Sequence, residues 1–594
     1  MRRVTRPDPP RVLREYAFIA DGERGALVGP DGSLAWLCVP RWDSPAVFAQ
    51  LLGGGGRYRV SPADAWHVWG GYYESGSLIW RSRWTGSSVT ECREALALPS
   101  DPRRAVILRR IEAFDGPAKL DVELDIRTGF GHAKMSELSR SGDCWTGRSG
   151  DLWFRWSGGA KARQADDGAL VMTVSLDAGE HHDLVLELSD RSIDQPPPDP
   201  AAAWQATEEG WSDAVPACAG LIAVRDARHA CAVLYGLTSS SGAMAAAATT
   251  SLPERLEGGR NYDYRFAWIR DQCYGGLAIA ALGAHPLLDG TIRFLTERVL
   301  ADGPELEPAY AVDGRAIPGE SKLKLPGYPG GAAVTGNKVR SQFQLDGLGE
   351  VLEVMAAAAR LDLLTAENWQ AVEVTVAAIG QRWNEPDAGL WELDDRHWTH
   401  SKLACAAGLR SIAAAAKGTP TGHGYQQAAE WSALADKIMA GTADSVHSTG
   451  RWQRSPDDER VDAALLLPTI RGAVAVDDPR SQATLRAVAD ELGEDGYVYR
   501  FRHDPRPLHK AEGAFLLCGF WMAQATLLAG DPVEAARWFE RNRAACGPAG
   551  LYTEEYDVHQ RQSRGNLPQA FVHAAMLECA VRLSADPAAN ETPG

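Results

Sequence analysis

The chain has 594 residues, more than one hydrophobic core usually serves, so at least two domains are expected. Its 45% hydrophobic and 23% charged content is ordinary for a globular protein. A formal net charge of −17 argues against nucleic acid or an anionic membrane as partner, and no apolar run is long enough for a membrane span.

The first 18 residues carry arginines but no apolar segment of the secretory type. Ten cysteines are scattered without a CxxC pair, so free buried thiols and a cytoplasmic location are expected. Residues 26–28, the turn Gly29-Pro30-Asp31-Gly32 and residues 34–37 read as a hairpin. Alternating runs follow at 77–84, 105–111, 119–126, 152–156, 170–176 and 184–188, separated by Gly, Pro, Asp and Ser. The pattern predicts an N-terminal antiparallel β-sandwich over 1–200. The Pro-rich run from Gln195 to Pro200 interrupts it, and 201–220 is expected to be a linker.

From 221 to 594 the period changes to 3.6 and twelve helices are predicted: 222–238, 271–283, 287–301, 339–361, 365–383, 400–417, 422–441, 459–466, 478–490, 511–528, 531–545 and 567–584. Twelve is the number required for an (α/α)6 barrel. Connections before even-numbered helices are mostly long, and those before odd-numbered ones short. In an alternating barrel the long ones gather at one rim, where a site is expected. A plain helical bundle would alternate in the same way.

Three of those long connections hold polar and aromatic clusters. The first runs from Asn261 to Asp271 and includes Tyr264, Trp268, Arg270 and Asp271. The second is Gly389-Leu390-Trp391-Glu392, and the third runs from Gly550 to Asp557 with Glu554 and Glu555 adjacent. Hydrolysis of a glycosidic bond needs two flanking carboxyl groups, with aromatic platforms and charged groups to hold the sugar. Each cluster alone has a plainer reading: Asp271 as a helix N-cap, Glu554-Glu555 as a charged loop. His397 with His400, and His181 with His182, lack a third convergent ligand in the sequence, so no metal is called for.

Taken in order, these motifs resemble glycoside hydrolase family 15, the glucoamylase type. The resemblance runs through IADGERGALVGPDGSLAWLCVPRWDSPAVFAQLL, TTSLPERLEGGRNYDYRFAWIRD, QFQLDGLGEVL, GLWE, EGAFLLCGFW, LYTEEYD and GNLPQAFVHAA. It implies an inverting, exo-acting α-glucoside hydrolase that uses no cofactor. Glu392 matches the general acid and Glu554 the general base. Arg270 and Asp271 match the pair that holds the nonreducing-end glucose, and Tyr264, Trp268 and Trp391 match its walls. Glu555 and Glu512 are further candidates for substrate binding. An inverting pair is expected roughly 6.5–9.5 Å apart. Glu392 must hold a proton near neutral pH, which calls for burial or a neighbouring carboxylate.

The chain departs from the family pattern at 327–335, where arginines are missing, and Lys338 and Arg340 follow Asn337. Pro329, Lys338 and Arg340 are expected to close the acceptor side, favouring short α-linked glucose oligosaccharides, isomaltose first. An α,α-trehalase is the alternative within the family. A sugar phosphorylase would not need Glu554, and a carbohydrate-binding pseudoenzyme would have lost one of the two acids. Linkage and oligomeric state are not legible at this level.

Overall fold

The computed structural model describes residues 9–255, 259–418 and 426–585. Its N-terminal part is a β-sandwich. One layer is an eight-stranded antiparallel sheet whose centre pairs Leu152–Ser157, His181–Ser189, Arg104–Ala113 and Val89–Leu96 in that order. The other has four strands, with Ala118–Asp125 between Leu170–Leu176 and Arg57–Pro62. Residues alternate between buried and more exposed along Ala118–Asp125, as one covered face requires. The layers meet at Tyr58: buried Arg109 donates to its carbonyl at 3.0 Å, and the Trp156 indole to its hydroxyl at 3.2 Å. A separate four-stranded sheet, from Ala17–Ala20 to Ala46–Phe48, includes the expected hairpin.

The stretch 201–220 is not a bare linker. It carries the helix Pro200–Ala214, started by Asp199, which accepts from the Ala202 amide at 2.9 Å. The proline that reads as a chain break occupies the first helical turn, where its missing N–H costs nothing. Trp204 and Trp211 bury this helix against the rest of the chain.

Among the described residues, twelve helices build the part that follows, besides a single turn at Leu508–Ala511. They are α1 (Val224–Leu237), α2 (Ile269–Ala280), α3 (Pro286–Asp302), α4 (Leu345–Arg360), α5 (Ala366–Arg382), α6 (Thr399–Gly418), α7 (Ala428–Ala440), α8 (the tight turn Ala463–Leu466 continuing as Leu467–Ile470), α9 (Pro479–Leu492), α10 (Leu516–Leu528), α11 (Pro532–Arg543) and α12 (Ala570–Ser584). The beginning of the predicted seventh helix, at 422, lies outside the described residues. The eighth starts later than predicted because Asp462 caps it, accepting from the Ala464 amide at 2.9 Å. Even-numbered helices pack on one another in sequence, and α12 returns to α2, so they close an inner ring. Odd-numbered helices pack outside. This is an (α/α)6 barrel. Where α4 crosses α6, only glycine fits: a Cβ on Gly349 would meet the Ala404 carbonyl at 2.4 Å. At the seam of the ring, the Ile222 amide just before α1 donates to the Ser584 hydroxyl at the end of α12, at 2.7 Å.

The separate N-terminal sheet and the barrel interlock beside the first cluster. Arg265 is fully buried, paired with Asp263 at 2.7 Å, and donates to the Ser44 carbonyl at 2.8 Å and the Trp42 carbonyl at 3.2 Å. The Trp36 indole donates to the Ala248 carbonyl at 2.9 Å. Among the described residues, no helix is long and apolar enough to cross a membrane.

Candidate active site

The long connections entering the even helices surround a cavity at one end of the barrel. Seven of the nine expected site residues line it: Tyr264, Trp268, Arg270, Asp271, Trp391, Glu392 and Glu554. Glu512 and Glu555 lie behind its wall.

Glu392 sits in a turn held from below. Asp387 accepts from the Gly389 amide at 2.9 Å and the Ser401 hydroxyl at 2.9 Å. Glu392 itself adopts a left-handed backbone, φ 55°, which costs a non-glycine residue about 1–3 kcal/mol. The turn points its carboxylate at the first cluster, where it accepts from the Trp268 indole at 2.8 Å. Arg270 joins the same two loops: it donates to the Leu390 carbonyl at 2.7 Å and lies 3.6 Å from the Glu392 carboxylate.

Asp271 is not the cap of α2. The capping position belongs to Trp268, without a side-chain cap bond, and Asp271 falls in the first turn. It is 1% exposed, and neither carboxylate oxygen has a hydrogen-bond partner; Arg270 pairs with it at 3.1 Å. Burial raises its pKa to about 6, against the pull of Arg270. Arg270 leaves most lone pairs of this buried carboxylate unfilled, and sugar hydroxyls are suitable donors to them.

Glu554 and Glu555 are separated by strand geometry. The strand Glu555–Asp557 lies between Ala514–Phe515 and Gln562–Arg564. Neighbouring side chains of extended backbone point to opposite faces, so Glu554 meets the cavity and Glu555 does not. Glu555 is fully buried and accepts from the Gly513 amide at 2.7 Å. Glu512 is held by Arg260 at 2.8 Å, by Arg500 and by His503 at 2.7 Å. Its carboxylate is occupied by those partners, and Arg260 and Arg500, not Glu512, reach the cavity.

The cavity also takes in residues that the sequence reading did not single out, among them Glu254, Arg260, Arg500 and, inside the first cluster, Tyr262. Glu254 is 4% exposed, and the Tyr264 hydroxyl lies 3.1 Å from it and 3.5 Å from Glu554. Burial, then the neighbouring Glu254 carboxyl, pushes Glu554 well above the usual carboxylate range, while Arg500 opposes both. Glu254 is raised by burial as well, with Arg500 and Arg260 opposing. The burial expected for Glu392 therefore accompanies Glu554 instead, since 27% of the Glu392 side chain is exposed. Glu254 ends TTSLPE, a stretch that carries the family resemblance without any sign that its glutamate faces the site. Arg500 stands alone in the sequence among ordinary loop residues.

The departing loop contributes less than expected. Asn337 and Lys338 line the cavity. Arg340 instead pairs with Glu307 at 3.1 Å, and Pro329 is exposed away from it.

Four carboxyl groups, those of Glu254, Asp271, Glu392 and Glu554, thus share one cavity of an (α/α)6 barrel with three arginines and six aromatic side chains. Residues 232–581 match the family model of glycosyl hydrolases family 15. The chain belongs to glycosyl hydrolase family 15. A second model, trehalase-like N-terminal, matches residues 6–194. This family 15 protein is therefore a glycoside hydrolase, and the motif resemblance is borne out. It is 32% identical to a trehalase of Mycobacterium tuberculosis over 97% of this chain and 90% of that one. It is 27% identical to an isomaltose glucohydrolase of Kribbella flavida, over 52% of this chain and 77% of that one. In fold it is similar to a bacterial glucoamylase crystallised with acarbose, with a TM-score of 0.70 and 13% identity, over 97% of this chain and 95% of that chain.

Proposed function

We propose that this family 15 hydrolase is an α,α-trehalase acting by inversion. The observation that carries the substrate is the likeness to a trehalase along both the sandwich and the barrel. The likeness to the isomaltose glucohydrolase spans about half the chain, so trehalose replaces isomaltose as first choice. Charged side chains on several sides of the cavity, Arg270, Arg260, Arg500 and Lys338, suit a substrate that presents hydroxyls on two glucosyl rings. Ten free cysteines fit a reducing, cytoplasmic setting.

In the proposed mechanism Glu392 gives its proton to the bridging oxygen as the C1–O bond breaks. Glu554 takes a proton from water, whose oxygen bonds to C1 from the opposite face. Tyr264 and Glu254 hold that water and Glu554 in register. Arg270 and Asp271 bind hydroxyls of the glucose being attacked, and Trp268 and Trp391 form its walls.

Inversion of α,α-trehalose has a distinctive product. The attacked ring leaves as β-glucose and the other as α-glucose, so early NMR spectra should show equal amounts. Two α-glucose molecules would refute inversion. Faster cleavage of isomaltose or maltose than of trehalose, by kcat/KM, would return the substrate to the other reading. Glucose 1-phosphate formed in the presence of phosphate would indicate a phosphorylase.

A further inference from the structure

Outside the cavity, three side chains from separate segments converge. Glu494 lies on the short strand Gly493–Glu494, His509 on the turn of helix Leu508–Ala511, and His559 in the turn after strand Glu555–Asp557. His559 Nε2 is 3.1 Å from Glu494 Oε1, and His509 Nδ1 is 3.9 Å from the same oxygen. The two imidazole rings lie 3.7 Å apart between centroids. One ligand atom from each residue lies within 4.8 Å of the others, which no other His, Cys, Asp or Glu trio among the described residues achieves. None of the three lines the sugar cavity.

We propose that this trio binds a divalent first-row transition ion, with zinc as the reference ion and water completing its shell. Tetrahedral zinc with bonds of about 2.0–2.1 Å holds neighbouring ligand atoms about 3.3 Å apart. The two spacings to Glu494 Oε1, 3.1 and 3.9 Å, bracket that value. Two imidazoles and one carboxylate suit zinc, nickel or cobalt better than magnesium or calcium, which prefer oxygen ligands.

The neighbouring charges are balanced. Arg564 lies 3.5 Å from Asp557, and Arg506 pairs with Asp504 at 2.7 Å. Lys510 adds a positive charge to the adjoining groove, so selection rests on ligand geometry rather than on bulk negative potential. The ion would cross-link the hairpin that follows Glu554 to the segment that carries Arg500 and Glu512. Its role is to brace the rim, and this holds whether or not trehalose is the substrate.

The test uses the full chain, stripped with a chelator and titrated with zinc by calorimetry, with cobalt absorbance reporting coordination. One site of micromolar or tighter affinity is expected, and binding should raise Tm. His559→Ala and Glu494→Ala should each weaken binding at least ~10-fold. His67→Ala and His181→Ala, at exposed histidines elsewhere, should leave it unchanged. His559 is itself exposed, so loss of fold is not expected, and circular dichroism checks it. Absence of a saturable site, or affinity unchanged in His559→Ala, overturns the proposal.

Discussion

At the residue scale the site divides its carboxyl groups by environment. Glu392 is partly exposed beside Trp268 and Arg270, whereas Glu554 is buried beside Glu254. Glu392→Gln and Glu554→Gln should each lower kcat at least about a hundredfold. Glu555→Gln should do less, since that side chain holds the Gly513 amide rather than facing the cavity. A larger loss in Glu555→Gln than in Glu554→Gln would move the base to Glu555. Glu254 gives a pH test. As a base, Glu554 works ionised, so activity falls as pH drops through its raised pKa. Glu254→Gln removes the adjacent like charge and supplies an N–H donor, which lowers that pKa. The acidic limb of kcat/KM should therefore move to lower pH. An unmoved limb would mean that Glu254 does not tune the base.

Elements carry the next level of cause. Alternation along one short strand chooses between Glu554 and Glu555, and Gly513 lets that strand approach its neighbour. A Cβ at Gly513 would lie 2.9 Å from Glu555 Oε2 and 3.1 Å from the Tyr556 carbonyl. Gly513→Ala should lower kcat by displacing the strand, while KM for a substrate held by Arg270 and Asp271 changes less. Inside the ring, α4 buries Glu350 and Glu353 beside Arg471, which also pairs with Glu578 at 2.5 Å. Burial raises Glu350 to about 8 from 4.5. A group whose pKa rises on folding supports the fold fully below the lower value and loses that support as pH passes the higher one. The Tm advantage of Glu350→Gln over the parent should therefore grow between pH 5 and 8. A difference that stays flat across that window would refute a neutral Glu350.

For the whole molecule, the helical period, the count of twelve and the ordered motifs made the barrel legible from the sequence, while the parity of loop lengths located its functional rim. The Pro-rich stretch misled because proline at a helix start and proline in a linker look alike until Asp199 is seen to cap. The motif residues of three loops were legible as a site. Glu254 and Arg500 were not, because their importance comes from convergence across the rim. Arg265, inside the most recognisable motif, turns away from the cavity and locks the barrel to the separate N-terminal sheet. Asp263→Ala would leave that arginine buried without its charge partner, at a cost of about 3–5 kcal/mol. Residues 221–594 expressed alone should be insoluble or inactive, since Arg265 loses the Trp42 and Ser44 carbonyls. Full activity of that fragment would show the sandwich to be dispensable.

The seam between Ile222 and Ser584 also fixes when the molecule can first work. The ring has no closed form until α12 is available to meet α1 and α2, and Gln569 of the cavity wall immediately precedes α12. During synthesis the cavity is therefore one of the last features to be completed. A chain stalled on the ribosome between residues 554 and 570 holds both acids but lacks the helix that brings the first and last loops together. Such long-range closure is slow relative to local helix formation. The appearance of hydrolytic activity is then a clock for the joining of the two ends of the barrel.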